Sequence, residues 1–303
     1  MTVGPLGPDR LGAAWALWQR AAPLDAVQPD ALADVLWGAG ASAVSAEVDG
    51  EVVGLAAGAL WPVPGETRGQ VRAVAVAPEH RRRGTGTALL DEVERRLVAE
   101  GAESIRLVEG APVYLSPGID VRNDAALAFA RAAGSEEIGE AVDLGTDLGA
   151  EDWDTGEAES RLAAGGVVVR RATGADADAL NRLLSDTWPA WTAEAVCALG
   201  QSPPPLWLAL RDGAVLGFAA HSVTPAARGR FGPMGTDPAA RGLGIGGVLL
   251  RRCLADLAGA HDRAVIGWAA ALPFYARACG ATVARRYRRF ERSPSSASRS
   301  SRS

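Results

Sequence analysis

Apolar side chains recur every three to four residues along 244–260, a spacing that predicts one amphipathic helix. Two apolar runs, 206–211 and 214–222, flank Asp212-Gly213, a dipeptide favoured in tight turns, and together they predict a β-hairpin. The other elements predicted in this half are strands at 167–171, 232–236, 264–268 and 283–290, and helices at 175–186 and 273–279. The last strand is expected to complete the sheet of the half in which it lies.

Several segments occur twice in the chain, in the same order in each half. Residues 78–90 match 238–250 at an offset of 160, and both copies contain P-x-x-R-x-x-G-x-G. DGEVVGLAA at 49–57 resembles DGAVLGFAA at 212–220, and FARAAG at 129–134 resembles YARACG at 275–280. We infer a duplication. Each half predicts an α+β sandwich, in which a mixed, mostly antiparallel sheet carries helices on both faces.

Length and charge support two domains. The chain has 303 residues, against roughly 150 for one domain. Residues 1–150 carry 12 Arg and 22 acidic residues, whereas 163–303 carry 18 Arg and 9 acidic residues. We expect an N-terminal domain at 1–145, an acidic linker at 146–166, a C-terminal domain at 167–292 and a disordered Ser/Arg tail at 293–303.

Composition excludes several kinds of chemistry. All 31 basic residues are Arg, so a Walker-type lysine or a Schiff-base lysine is absent. Three Cys and three His without ligand spacing predict neither a disulfide framework nor a metal site. A net charge of -5 argues against nucleic acid as partner, and the lack of a leader or a long apolar run leads us to expect a cytoplasmic protein that does not bind membranes.

The repeated Arg-x-x-Gly-x-Gly stands between a predicted strand and a predicted helix in both halves. Its glycines let backbone N–H groups approach a ligand, and the helix N-terminus adds partial positive charge, so each loop predicts a phosphate site. Residues 242–247 also satisfy GxGxxG. A dinucleotide fold is disfavoured, because the first copy lacks the third glycine and neither following strand ends in an acid for the ribose.

At these loops the chain resembles the GNAT superfamily of acetyl-CoA-dependent acetyltransferases, whose signature is [QR]-x-x-G-x-[GA]. The resemblance covers both halves and implies a tandem GNAT protein with acetyl-CoA as co-substrate. It implies cofactor contacts at Val74, Ala75, Val76, Arg81, Arg82, Arg83, Gly84, Thr85, Gly86 and Thr87 in the first half. In the second half it implies contacts at Met234, Gly235, Thr236, Arg241, Gly242, Leu243, Gly244, Ile245, Gly246 and Gly247.

The family chemistry is direct attack of an amine on the thioester, and it requires an acid for the departing thiolate. Tyr275 is the candidate acid, with packing in the core as its alternative role. The first half has Phe129-Ala130 at that location and is expected to be noncatalytic, unless Tyr114 substitutes. Pro233 favours a bulge in the strand before the second loop, which fits the splayed strands of the family. His221 is the candidate base, against a structural role or deprotonation through water.

The acceptor is expected to be a primary amine of a small molecule. Trp188, Trp191, His221 and Trp268 come from segments that line the acceptor side in the family, and aromatic faces suit an amino sugar. Two alternatives remain open, a protein that binds acetyl-CoA for regulation without turnover and an acetyltransferase of proteins or peptides. Oligomeric state is not predicted.

Overall fold

The computed structural model describes residues 1–63 and 65–294, and its chain folds into two compact units. Among the described residues, the first unit consists of Met1–Ala141 with 286–294, and the second consists of Val142–Arg285. Residues 295–303, most of the predicted tail, lie outside the described part. The units therefore do not coincide with the two halves of the sequence.

Within 1–63 and 65–135, the first unit contains six strands and four α-helices. The strands are β1 (Thr2–Pro5), β2 (Ser42–Val48), β3 (Glu51–Val63), β4 (Glu66–Val76), β5 (Ser104–Leu107) and β6 (Ile119–Asp120). The helices are α1 (Leu11–Ala21), α2 (Pro29–Trp37), α3 (Thr85–Ala99) and α4 (Asp124–Ala132). Strand β7 (Glu136–Asp147) begins here and continues into the second unit.

The second unit repeats this plan. Its helices are α5 (Gly156–Ala164), α6 (Ala177–Thr187), α7 (Thr192–Leu199), α8 (Ile245–Ala258) and α9 (Leu272–Cys279). Its strands are β8 (Val168–Arg171), β9 (Leu206–Arg211), β10 (Ala214–His221), β11 (Arg230–Thr236) and β12 (Arg263–Ile266), and β13 (Thr282–Arg292) runs from it into the first unit. The predicted hairpin is present, with Asp212 and Gly213 both at positive φ in its turn. Helix α7 was not predicted.

Each unit is built on a mixed, mostly antiparallel sheet, as the sequence predicts. The strand order is β1-β2-β3-β4-β5-β13 in the first unit and β8-β9-β10-β11-β12-β7 in the second. Among these pairs of described strands, β4–β5 and β11–β12 are parallel and the others are antiparallel. In the second unit Phe218 packs with α6 and α7, whereas its neighbour Ala219 packs with α8. Because successive side chains of a strand point to opposite faces, the helices cover both faces.

The last strands are exchanged, and the expectation that each half closes with its own strand was wrong. Strand β13 pairs with β5 through Phe290 and Leu107, while β7 pairs with β12 through Leu144 and Ile266. Strands β7 and β13 have similar patterns of apolar residues, so hydrophobic periodicity alone would allow each of them to pair with either β5 or β12. Specific contacts distinguish them, such as the salt bridge of Arg289 with buried Glu109 at 2.7 Å.

The segment 146–166 differs from the expected linker. It contains the end of β7 and helix α5, and Leu148, Trp153 and Leu162 are buried in the core formed with α8. These three apolar residues are irregularly spaced among many acidic ones, so the sequence shows no helical stripe there. Contacts divide the chain at 141/142 and 285/286.

Candidate functional site

The two glycine loops have the same backbone conformation. Gly84 and Gly244 precede α3 and α8 with φ of 82° and 88°, and two residues earlier Arg82 and Gly242 have φ of 60° and 84°. A Cβ at Gly244 would meet no atom within 4 Å, so space is open beside the loop. The first N–H groups of an α-helix have no partner within the helix, so each loop presents free donors.

A second pair of glycines lets these helices approach the sheet closely. A Cβ at Gly54 on β3 would lie 2.8 Å from Leu89, and one at Gly217 on β10 would lie 3.0 Å from Ile245. The side chains of Thr85 and Ile245 are consequently buried. Thr85 and Ile245 were both predicted to contact the coenzyme, and because their side chains are buried they can offer a ligand only their main-chain groups.

The strands beside each loop diverge at equivalent points. The parallel pairing of β11 with β12 ends at Phe231–Ile266, and that of β4 with β5 ends at Val71–Leu107. The predicted irregularity near Pro233 is present as a register shift between β10 and β11. The first unit diverges with Ala73 at the position of Pro233, so the splay does not depend on proline.

Main-chain donors line the side of β11 where the strands diverge. The main-chain N–H of Asp237 donates to Leu216 O across the β10–β11 pair. Because N–H groups alternate in direction along a strand, the N–H of Gly235 also points toward β10. The N–H groups of Met234 and Thr236 therefore point to the other side, where no described strand continues the pairing. In the first unit, Val74 and Val76 hold the corresponding positions beside Ala75.

The arginines at the start of the loops differ in their partners. Arg81 donates to the main-chain oxygens of Val76 and Ala21, at 3.0 and 2.9 Å. Arg241 is exposed, and its side chain makes no hydrogen bond or ion pair within 1–63 and 65–294. The guanidinium of Arg241 is thus available to an anion. The remaining predicted residues, Arg83, Gly86, Thr87, Leu243, Gly246 and Gly247, lie on the loops or in the first helical turns.

Tyr275 lies in the first half of α9, next to Phe274, which borders Gly246 of the loop. Its ring packs edge-on against Phe231 and Phe274, with centroids 6.1 and 5.1 Å away. Burial raises the pKa of Tyr275 to about 12, so the hydroxyl keeps its proton at neutral pH. That hydroxyl has no hydrogen-bond partner among the described residues.

The first unit lacks a hydroxyl at this position. Phe274 lies 3.8 Å from the place of a Cβ on Gly246, and Phe129 lies 3.3 Å from that of Gly86. Phe129 therefore corresponds to Phe274, and Ala130 stands where Tyr275 would be. In addition, Arg72 occupies the position of Gly232, where it is buried and donates to Gly38 O and Ala39 O. Burial lowers the pKa of Arg72 to about 10.

His221, the predicted base, is engaged by a carboxylate. Its Nε2 lies 3.2 Å from Oδ2 of Asp256 on α8, which also accepts hydrogen bonds from Arg171 and Trp207 at 2.8 Å. Burial would raise the pKa of Asp256, but the hydrogen bonds from these three groups outweigh it and lower the pKa below its ordinary value. His221 is 8% exposed. The structure thus places it in a polar network with Asp256, and on the neighbouring strand His221 pairs with Phe231, the residue against which the ring of Tyr275 packs.

The candidate acceptor residues fall into two groups. Trp188 and Trp191 stack with centroids 5.3 Å apart, and Trp188 also covers Gly235. Trp268 follows β12 at φ 49° and donates its main-chain N–H to Asp143 at 2.9 Å. Sequence reasoning missed Asp143, which is far away in the chain and belongs to no repeated segment.

The described residues contain neither a cluster of metal-binding side chains nor a helix that could span a membrane. No group of three or more His, Cys, Asp or Glu side chains there could hold a metal ion. Likewise, none of the helices in that part of the chain combines the length and hydropathy needed to span a bilayer.

Comparison with known proteins identifies the family. The model of the Acetyltransferase (GNAT) family matches residues 13–134 and 177–281, which together exceed half of the chain. No curated protein matches the sequence. The fold resembles a GCN5-related glucosamine N-acetyltransferase region of a fungal multi-domain GH3 β-N-acetylglucosaminidase, with 20% identity, a TM-score of 0.83 and coverage of 96% of this chain and 38% of that one.

Two further solved structures match at nearly full length. A tandem GNAT protein from the clavulanic acid biosynthesis pathway is 17% identical, with a TM-score of 0.68 and coverage of 97% of this chain and 98% of that one. A GCN5-related N-acetyltransferase from Sphaerobacter thermophilus is 19% identical, with a TM-score of 0.64 and coverage of 96% and 95%. These identities establish likeness of fold alone. With a family match in each half and two units of the corresponding fold, this chain belongs to the GNAT acetyltransferase family and is a tandem member of it.

Proposed function

We propose that this protein is an acetyl-CoA-dependent N-acetyltransferase that acts on a primary amine of a small molecule, with its reacting site in the second unit. The main observation is that Tyr275, whose hydroxyl has no hydrogen-bond partner within the described part of the chain, stands next to Phe274, which borders Gly246 of the glycine loop. The first unit has Ala130 at that position and fills the site of Gly232 with Arg72. It is proposed to be noncatalytic.

The second loop suits a carrier with a diphosphate. The N–H groups at the start of α8 and the guanidinium of Arg241 are free donors, and charge-assisted hydrogen bonds to phosphate are the strong ones. When bound, acetyl-CoA supplies the activated acetyl thioester. The N–H groups of Met234 and Thr236 would donate to the carbonyl oxygen and the pantetheine, as oxyanion donors do.

Tyr275 is proposed as the general acid. With a pKa of about 12 it holds its proton on Oη at neutral pH, and it would give that proton to the departing sulfur. Removal of the amine proton is assigned to water. His221 remains the candidate among side chains, but its link to Asp256 at 3.2 Å favours a structural role.

For the acceptor we propose an amino sugar. Trp188 and Trp191 present stacked rings beside Gly235, and aromatic faces suit the apolar face of a sugar. One structural neighbour is described as a glucosamine N-acetyltransferase region, although the likeness to it is one of fold. Peptide amines are the alternative acceptors.

The test measures thiol release from acetyl-CoA by the full chain with amino sugars and with peptides that have a free N-terminus. We expect release with an amino sugar and none with peptides. Release with peptides alone would reverse the acceptor assignment. Binding of acetyl-CoA without release on any amine would favour the regulatory alternative.

Calorimetry with acetyl-CoA assigns the site to a unit. The variant Arg241→Ala, Gly244→Ala is compared with the matched variant Arg81→Ala, Gly84→Ala in the first unit. We expect the first variant to lose acetyl-CoA binding at the second loop, and with it thiol release, and the second variant to retain both. A protein that binds no acetyl-CoA would refute the cofactor assignment.

A further inference from the structure

A cavity of about 190 Å³ lies beside the second glycine loop, within the second unit. Helix α5, the end of β9 and the loop line it, with Arg161, Leu162, Arg211, Leu243, Gly244 and Val248 among its walls. Sites that hold a complete drug-sized ligand have volumes of roughly 300–1,000 Å³. The cavity therefore fits part of a ligand whose remainder lies elsewhere, and it opens next to Gly244.

The cavity is positively charged. Arg161 and Arg211 contribute two guanidinium groups, and no acidic residue is among the lining residues. Gly244 adds the N-terminus of α8, with its partial positive charge. These features together favour an anion.

Arg211 lacks a partner of its own. Its Nε is buried without a hydrogen bond, and within the described part of the chain its side chain forms no ion pair. A buried donor without a hydrogen-bond partner is energetically unfavourable, and a bound anion would relieve this. Arg161 pairs with Glu157 on the exposed side of α5, with 67% of its side chain accessible. This exposed pair contributes little, so Arg161 is free to turn to a ligand.

The two loops differ in charge where this cavity lies. The first loop has Arg82 and Arg83 between Arg81 and Gly84, whereas the second has Gly242 and Leu243. The second loop thus has no cation after Arg241, and the cavity provides two from α5 and β9. Leu243 is 48% exposed beside them, an apolar side chain available to a flat ring.

We propose that this cavity binds a phosphate monoester, the 3′-phosphate at the nucleotide end of coenzyme A, with Arg211 as its main partner and Arg161 as the second. The proposal rests on the proposed function, since it assumes that the loop at 241–247 holds the coenzyme. It assigns to helix α5, a part of the chain outside both matched family regions, a role in recognising the coenzyme.

The test compares acetyl-CoA with acetyl-3′-dephospho-CoA by calorimetry, in the full chain carrying Arg81→Ala and Gly84→Ala so that only the second loop remains. We expect acetyl-CoA to bind about tenfold more tightly, in line with one charged hydrogen-bonded contact. Arg211→Gln should remove this preference by weakening acetyl-CoA binding alone. Arg182→Gln, an exposed change on α6, is the control and should preserve the preference.

Several outcomes would overturn the proposal. These are equal binding of both compounds by the protein with Arg211, equal weakening of both by Arg211→Gln, or saturable binding of inorganic phosphate to the cavity without any preference between the compounds. Equal binding refutes the subsite and leaves the proposed function intact, whereas no binding of either compound refutes both. The melting temperature of Arg211→Gln is expected to match that of the control, because Nε of Arg211 has no partner to lose.

Discussion

The carboxylate of Asp143 accepts a hydrogen bond of 2.9 Å from the main-chain N–H of Trp268, 125 residues further along the chain. Asp143 is 1% exposed, and its Oδ2 lies 3.2 Å from Arg230. It reaches these partners because β7 leaves the first half and pairs with β12 in the second unit. One residue from the first half of the chain thus holds the turn that carries a candidate acceptor residue.

Asp143→Ala is expected to destabilise the protein by about 2 kcal/mol, because a buried carboxylate and its charged hydrogen bonds are lost. Unfolding in urea measures this free energy. The control is Asp147→Ala on the same strand, an exposed residue bonded to Gly149 N at 2.9 Å, whose loss should cost less than 1 kcal/mol. Similar losses for both variants would contradict the role given to Asp143.

Tyr275→Phe is expected to lower kcat by about a hundredfold, the scale of general acid catalysis, while the Kd for acetyl-CoA and the free energy of unfolding stay unchanged. No described residue hydrogen-bonds to this hydroxyl, so its removal breaks no hydrogen bond among them. Tyr287→Phe is the matched control, a fully buried tyrosine of β13 that should leave kcat unchanged. Full activity of Tyr275→Phe would exclude it as the acid.

Asp256 makes the free energy of unfolding depend on pH in the acidic range. Its pKa is lowered in the folded protein from an ordinary value of 3.8, so its stabilising contribution is complete above that value and disappears as the pH falls through the folded pKa. We expect Asp256→Asn to cost about 1–2 kcal/mol at pH 7, with a smaller difference at pH 3. Urea unfolding at both pH values measures it, with exposed Asp262→Asn as control. A difference independent of pH would be inconsistent with a charged role for Asp256.

Gly235→Ala is expected to disturb the tryptophan pair. A Cβ there would lie 2.6 Å from the ring of Trp188, so the ring has to move, at a cost of about 1–3 kcal/mol. Tryptophan fluorescence and urea unfolding report the change. Gly247→Ala, with no atom within 4 Å in the first turn of α8, should instead stabilise the protein by about 0.5–1 kcal/mol. Equal effects of both substitutions would contradict this packing.

Much of the second half could be predicted from local pattern. The hairpin at 206–221, helix α8 and the two Arg-x-x-Gly-x-Gly loops lie where periodicity and turn residues place them, because these features depend on neighbouring residues. Helix α5 escaped prediction, since its single buried residue, Leu162, forms no stripe.

Local patterns in the sequence are enough to predict the duplication, the α+β class of each unit and the positions of the glycine loops, because turn chemistry and hydrophobic spacing act over short distances. The pairing of each final strand with its sheet, and the partner of each buried polar group, depend on long-range contacts that are visible only in the tertiary structure. Two similar repeats offer nearly equal strand pairings, and the choice rests on contacts such as Asp143 with Trp268 and Arg289 with Glu109. Those contacts join residues more than a hundred positions apart, and no local pattern records them.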